Sequence, residues 1–152
     1  CELAQNRLVV ADSRENVGLF PGAFLKPNEV EAERALGAEA EGLNKEECAQ
    51  ALAKKTGSRV LMTLGEKGSV YSDGDTVQRF SPWVVKGPVD IVGAGDTFLS
   101  GFSCALAAGA AVREAADFGG LCSAITIQKI GITGTASPEE IVKAYDNLSR
   151  EE

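Results

Sequence analysis

The sequence predicts an α/β fold in which helices cover a sheet. Three observations point there. Short apolar runs with β-branched residues recur at residues 8–11, 23–25 and 59–64. Stretches opening on helix-capping residues alternate with them. A glycine turn at residues 93–96 leads straight into an apolar-periodic segment. Runs of the first kind read as buried strands, and the last pattern reads as an amphipathic helix.

Leu8-Val9-Val10-Ala11 is the first strand, ending at Asp12-Ser13-Arg14. In open α/β sheets the carboxyl ends of strands line the ligand crevice. Asp12 and Arg14 are therefore either neighbours of a site or a solvated strand end. Ala23-Phe24-Leu25 is the second strand, stopped by Pro27. Asn28 is a good N-cap, and the helix it opens runs to about Gly37. Asn28 and Glu31 share the first turn of that helix, which by itself is a capping pattern. A second capped helix runs from Asn44, with Glu47 at N3, to Gly57. Residues 59–64 form the next strand and end in Gly65-Glu66-Lys67-Gly68, which reads as a glycine turn. Asp73-Gly74-Asp75 between two alternating runs is a hairpin signal.

The turn at residues 93–96 opens a helix whose apolar residues are Phe98, Leu99, Phe102, Ala105 and Leu106. First-turn N–H groups lack intrahelical partners and sit at the positive end of the helix dipole. Glycines let that backbone approach a ligand. The result is an anion site with Asp96 at its lip. A carboxylate there repels phosphate, so it needs a task. The simplest is to accept a proton from a hydroxyl attacking phosphorus, while the amides hold the charge on the transferred group. After this helix, Gly109 marks a break. A second run from Arg113 to about Lys129 is interrupted by Gly119-Gly120, which implies a close approach by another helix or by a flat ring. Trp83 is either a ring near a bound base or a packing residue. Ser137-Pro138-Glu139-Glu140 caps a last helix reaching about Ser149.

Composition narrows the function classes. With 152 residues and 44% hydrophobic content, the chain is long enough to bury a real core. The formal charge is −7 and no basic cluster is present, so nucleic acid and anionic membrane are poor partners. No apolar run approaches the ~20 residues of a membrane span. There is no histidine, which excludes histidine triads and histidine-ligated metals. Cys1, Cys48, Cys104 and Cys122 show no C-x-x-C spacing, and Cys104 and Cys122 fall in apolar helical runs. They read as reduced thiols of a cytoplasmic protein, the latter two buried. The start at Cys1, without a signal pattern, reads as the later part of something longer.

Asp90-x-x-Gly93-Ala94-Gly95-Asp96-Thr97-Phe98, followed by Ser100-Gly101-Phe102, resembles the second signature of the ribokinase/PfkB family of carbohydrate kinases. The order Asn28-x-x-Glu31, Thr63-x-Gly65-x-x-Gly68, Gly-Ala-Gly-Asp is similar to the C-terminal half of such a kinase across nearly the whole chain. Residues 12–28 most resemble the heptose-phosphate kinase subgroup. The resemblance implies a ribokinase-like three-layer α/β/α architecture with a mainly parallel sheet. It would be incomplete, lacking the N-terminal strands and the sugar lid and leaving an apolar sheet edge. Residues 1–152 would be the C-terminal part of a single kinase domain.

The implied activity is ATP-dependent phosphorylation of a sugar or sugar-phosphate hydroxyl. Asp96 would be the catalytic base, and Gly93, Ala94 and Gly95 would complete the anion hole. Asn28, Glu31, Thr63, Gly65, Gly68 and Gly120 would contact the nucleotide, although the family often has a polar residue where Gly120 stands. Glu31 would steer Mg²⁺ through water, and Asp90 with the Val92 carbonyl would hold a monovalent cation such as K⁺, together with the loop near residues 130–135. Lys26 would assist or form an exposed salt bridge. The implied partners are a small-molecule sugar, the missing N-terminal half of the kinase, and a second copy in a homodimer of the complete protein. Two alternatives stand beside this: a nucleotide-binding module without catalysis, and a vitamin, pyrimidine or nucleoside kinase of the same superfamily.

Overall fold

The computed structural model of the chain describes residues 7–147. They form two compact units, divided after Phe80. The expected helix end at Ser149 and the thiol of Cys1 lie outside the described residues.

The first unit is an open mixed sheet with two helices. Strands β1 (Val10–Ala11), β2 (Phe24–Leu25), β3 (Arg59–Thr63), β4 (Ser69–Ser72) and β5 (Val77–Phe80) lie side by side in sequence order. β1, β2 and β3 run parallel; β4 and β5 return antiparallel. The crossover from β2 to β3 is made by α1 (Glu29–Leu36) and α2 (Lys45–Thr56). Parallel strands need such a crossover, whereas β4 and β5 need only a tight turn. That turn is the Asp73-Gly74 hairpin. The Asp73 carboxylate accepts from the N–H groups of Asp75 (3.1 Å) and Thr76 (2.8 Å), and Gly74 takes φ +99°. β1 and β2 are shorter than the apolar runs that announced them.

Alternation along β3 decides which side chains meet the helices. Val60 and Met62 join Leu25, Val70, Ala49, Leu52, Ala32 and Leu36 in one core. Leu61 points to the other face, as do Phe24 and Tyr71, whose rings lie 6.0 Å apart. Both helices open on complete capping boxes, at Asn28/Glu31 and Asn44/Glu47. α2 closes on Gly57 in the left-handed conformation, as the glycine there foretold.

The second unit is helical: α3 (Ala94–Ala107), α4 (Val112–Thr126) and α5 (Pro138–Asn147). α3 and α4 pack closely at Gly101 and Gly119. A Cβ on Gly119 would lie 2.8 Å from the Phe98 carbonyl oxygen, and one on Gly101 would lie 3.2 Å from the Gly119 Cα. The cost of glycine in a helix interior is therefore explained by helix-on-helix contact. Cys122 is buried as expected, and burial pushes its thiol pKa up. Cys104 is exposed, contrary to expectation: it lies on the side of α3 away from Phe98 and Phe102. α5 starts with Pro138 after Ser137, whose N–H donates to Glu140 (2.8 Å). Among the described residues no helix is long and apolar enough to cross a membrane.

Candidate active site

In the first unit the predicted nucleotide residues gather at the carboxyl end of β3. Asn28 Oδ1 accepts from the Glu31 N–H (2.9 Å), and Glu31 Oε2 accepts from the Asn28 N–H (2.8 Å). One oxygen of each side chain is thus committed to the cap. Thr63 donates its N–H to the Pro27 carbonyl (2.9 Å), and Asn28 pairs with Thr63 in a parallel bridge. The Thr63 hydroxyl also reaches the Pro27 carbonyl, at 3.4 Å. The Asn-x-x-Glu and Thr-x-Gly-x-x-Gly motifs, 35 positions apart at Asn28 and Thr63, are therefore neighbours.

Beyond Thr63 the chain closes a turn: Leu64 N–H donates to Gly68 O (2.8 Å) and Gly68 N–H to Gly65 O (3.2 Å). Gly65 and Gly68 both take positive φ, +59° and +84°. A Cβ on Gly65 would meet nothing within 4 Å, so the turn presents open backbone.

Lys26 corrects the sequence reading. Its side chain is not on the surface: it is 4% exposed, with Nζ 2.8 Å from Asp12 Oδ2. No sequence signal marked it, because burial depended on β1 and β2 being neighbours.

In the second unit the turn before α3 is the expected helix opening. Gly93 is left-handed at φ 79° and would, with a Cβ, press on Thr133 Cγ2 at 3.0 Å. The Ala94 N–H donates to Ile91 O (3.1 Å), which removes it from the expected donors; the tight turn itself consumes it. Thr97 N–H closes back on Gly93 O (2.9 Å). The N–H groups of Gly95 and Asp96 lie between these two and have no acceptor among the described residues. A Cβ on Gly95 would also find nothing within 4 Å. The Asp96 side chain is exposed and, among the described residues, has no ion-pair or hydrogen-bond partner.

Asp90 anchors this turn. Its N–H donates to Ile127 O (2.8 Å), Oδ1 accepts from Val92 N–H (3.1 Å) and Oδ2 from Gly131 N–H (3.0 Å). These N–H groups, Val92 first, hold its carboxyl below the ordinary carboxylate range. The loop near residues 130–135 is thus beside the turn. The bond from the Asp90 N–H to Ile127 O is a contact that sequence reasoning missed, since a backbone carbonyl carries no residue signature.

Gly120 faces a ring, and that ring is Trp83. A Cβ there would lie 3.3 Å from Trp83 Cδ1. The indole N–H donates to the Asp117 carbonyl (2.9 Å), and the ring packs on Tyr145 with centroids 6.0 Å apart. Among the described residues no group of three or more aspartate, glutamate or cysteine side chains is arranged to hold a metal ion.

The family model described as pfkB family carbohydrate kinase matches residues 22–140, which include every one of these motifs. The chain belongs to the PfkB family. Among curated relatives, the bifunctional protein HldE of Trichlorobacter lovleyi is 35% identical over 122 residues, 79% of this chain and 25% of HldE. The structure of Thermotoga maritima ribokinase matches with a TM-score of 0.78 and 27% identity, over 96% of this chain and 52% of that one. Arabidopsis thaliana ribokinase complexed with ribose and ATP matches with a TM-score of 0.69 and 30% identity, over 80% and 40%. The fold is therefore ribokinase-like. The chain spans a quarter of the length of that HldE and about half of that ribokinase.

Proposed function

We propose that residues 1–152 are the C-terminal, nucleotide-binding part of a single kinase domain that transfers a phosphoryl group from ATP to a hydroxyl of a sugar or sugar phosphate. One observation carries the proposal. At the head of α3, two open amides and one open carboxylate stand on adjacent residues, Gly95 and Asp96. The amides suit the charge of a phosphoryl group in transfer, each such donor being worth roughly 3–4 kcal/mol. Asp96 orients the acceptor hydroxyl and takes its proton. A carboxylate is a weak base, but phosphoryl transfer has a loose transition state in which the proton can leave late. Gly93 and Ala94 shape the turn.

The nucleotide would lie along Asn28, Glu31, Thr63, Gly65 and Gly68, with Gly120 near the base. There Trp83 already covers the glycine, so the base shares that face with the indole or displaces it. Glu31 keeps one carboxylate oxygen beyond the cap. That suits Mg²⁺, which retains much of its water and can be steered from the outer shell. Bound Mg²⁺ would neutralise phosphate charge. K⁺ would sit by Asp90 and the Val92 carbonyl and stiffen the turn; each Asp90 oxygen has a lone pair beyond the N–H it accepts.

Because the chain spans about half of a ribokinase, the acceptor-binding residues belong to the rest of the kinase, the N-terminal half. The same fact favours a second reading, a nucleotide-binding module without turnover of its own. The heptose-phosphate subgroup is the preferred acceptor class, with vitamin, pyrimidine and nucleoside kinases as competitors. A cytoplasmic location and a homodimer of the complete protein complete the proposal.

The test is Asp96→Asn in the complete protein. Turnover should fall at least ~100-fold, the range for loss of a general base, while ATP affinity stays near wild type. Unchanged turnover removes Asp96 from the chemistry. A panel of sugars, nucleosides and pyridoxal identifies the acceptor.

A further inference from the structure

α4 ends at Thr126 and α5 begins at Pro138, and the chain between them has no regular structure. A loop of this kind needs tethers to keep one shape. On one side the Gly131 N–H donates to Asp90 Oδ2 (3.0 Å). Thr133 follows, its methyl group facing Gly93, where a Cβ would come within 3.0 Å of it. On the other side the tether is Lys129. Its stem lies across Gly134, where a Cβ would stand 2.7 Å from Lys129 Cδ. Its ammonium donates to the Thr135 carbonyl and meets Glu140 Oε1 at 2.8 Å and Oε2 at 2.9 Å.

Glu140 belongs to the first turn of α5 and also accepts from the Ser137 N–H (2.8 Å). Lys129 first, and then that N–H, hold its carboxyl below the ordinary carboxylate range. The side chains of Lys129 and Glu140 are 26% and 41% exposed, and ion pairs this open add little to stability. Their geometric effect is larger. Residues 131–135 are pinned at one end to Asp90 and at the other to Lys129, with Thr133 between the two pins. Gly93 has no side chain, so the Thr133 methyl is what backs the glycine turn on that side.

We propose that Lys129 is a positioning residue for the anion site. With Glu140 it holds residues 131–135 against Gly93, and so sets the Gly95 and Asp96 amides at the spacing a terminal phosphate requires. The inference rests on the phosphate reading of that turn and adds residues outside its motif. Neither Lys129 nor Glu140 touches the nucleotide.

The test is Lys129→Met in the whole chain, which keeps the stem and removes the ammonium. Thermal unfolding and calorimetric titrations with ATP and with ADP, both with Mg²⁺, are compared with wild type. Only ATP brings the phosphate that the turn would hold. The melting midpoint should move little. ATP affinity should fall about 10–100-fold, the loss when one or two charge-assisted hydrogen bonds are misplaced, while ADP affinity is unchanged. Glu140→Gln keeps an acceptor for the Ser137 N–H and should lose ATP affinity alike. The double variant should be no worse than either single one, because the two residues act as a unit, and Lys129→Arg should retain binding. If Lys129→Met binds ATP like wild type, the positioning role is overturned and the nucleotide reading survives. A loss in Lys129→Met with a gain in Glu140→Gln also overturns it, because the ammonium would then be a direct phosphate ligand. Equal losses of ATP and ADP overturn it too, since the loop would then act on the whole fold. If wild type binds no ATP, or binds it no more tightly than ADP, the phosphate reading of the turn falls and takes this inference with it. Should Lys129→Met unfold, Glu140→Gln is read by the same criteria.

Discussion

Replacing Gly119 by alanine measures how tightly α4 is seated on α3. The new Cβ would stand 2.8 Å from the Phe98 carbonyl oxygen and 3.2 Å from the Phe102 Cβ and N. Comfortable non-bonded separations are about 3.5 Å, so the helices must part by roughly 0.5 Å. The obstacle is backbone, which cannot swing aside as a side chain can. Overpacking of this kind costs about 1–3 kcal/mol. Alanine returns about 1 kcal/mol through its better helix propensity. The balance is a net loss of roughly 1 kcal/mol, reaching about 2. For a chain of this size the melting midpoint should drop by about 2–8 °C, read by far-ultraviolet circular dichroism. Gly95→Ala is the contrast: it meets nothing within 4 Å, so the fold should tolerate it. Its methyl group nevertheless stands beside the open amides, and nucleotide binding should be lost. A Gly119→Ala protein that melts at or above wild type would show that the two helix backbones are not in contact, and the account of α3 and α4 would have to be withdrawn.

The two capping boxes separate structure from function. Asn28→Ala and Asn44→Ala should each cost about 1 kcal/mol in denaturant titrations, but only Asn28→Ala should weaken Mg²⁺-dependent ATP binding; equal effects on binding would remove Asn28 from the site. Asp90 has a depressed folded pKa, so its contribution is present above the ordinary value near 3.8 and is lost as pH falls through the folded value. The stability gap between wild type and Asp90→Asn should therefore be flat above pH 3.8 and narrow below it, and a gap that widens in acid contradicts the clamp. Of the three described thiols, Cys104 should react first with a thiol probe, because Cys48 and Cys122 are buried; mass mapping after brief labelling decides it.

Much of the fold was legible because local signals agreed with one another. Asn44 and Glu47 announced α2, Gly57 announced its end, and Asp73-Gly74 announced the β4–β5 hairpin. The limits of β1 and β2 were less visible: an apolar run of three or four residues says that a strand exists, while its paired length depends on its neighbours. Cys104 misled for a related reason. Its surroundings in sequence are apolar, yet the side of α3 it occupies is decided by where Gly101 meets Gly119. In the candidate site, the glycines and Asp96 stood out because their chemistry is carried by residue type. The loss of the Ala94 donor to Ile91 and the burial of Lys26 did not, since both follow from backbone geometry between residues whose identities say nothing about it.

The bond from Gly131 to Asp90 joins positions 41 apart. α3 leaves from that junction and α4 comes back to it. The bend at residues 108–111 joins the two helices, and the 14 residues of α3 place it roughly 20 Å from the glycine turn. A fluorophore or short peptide spliced there would ride at arm's length from the chemistry, which makes the bend the natural point for attaching a reporter without disturbing Asp96.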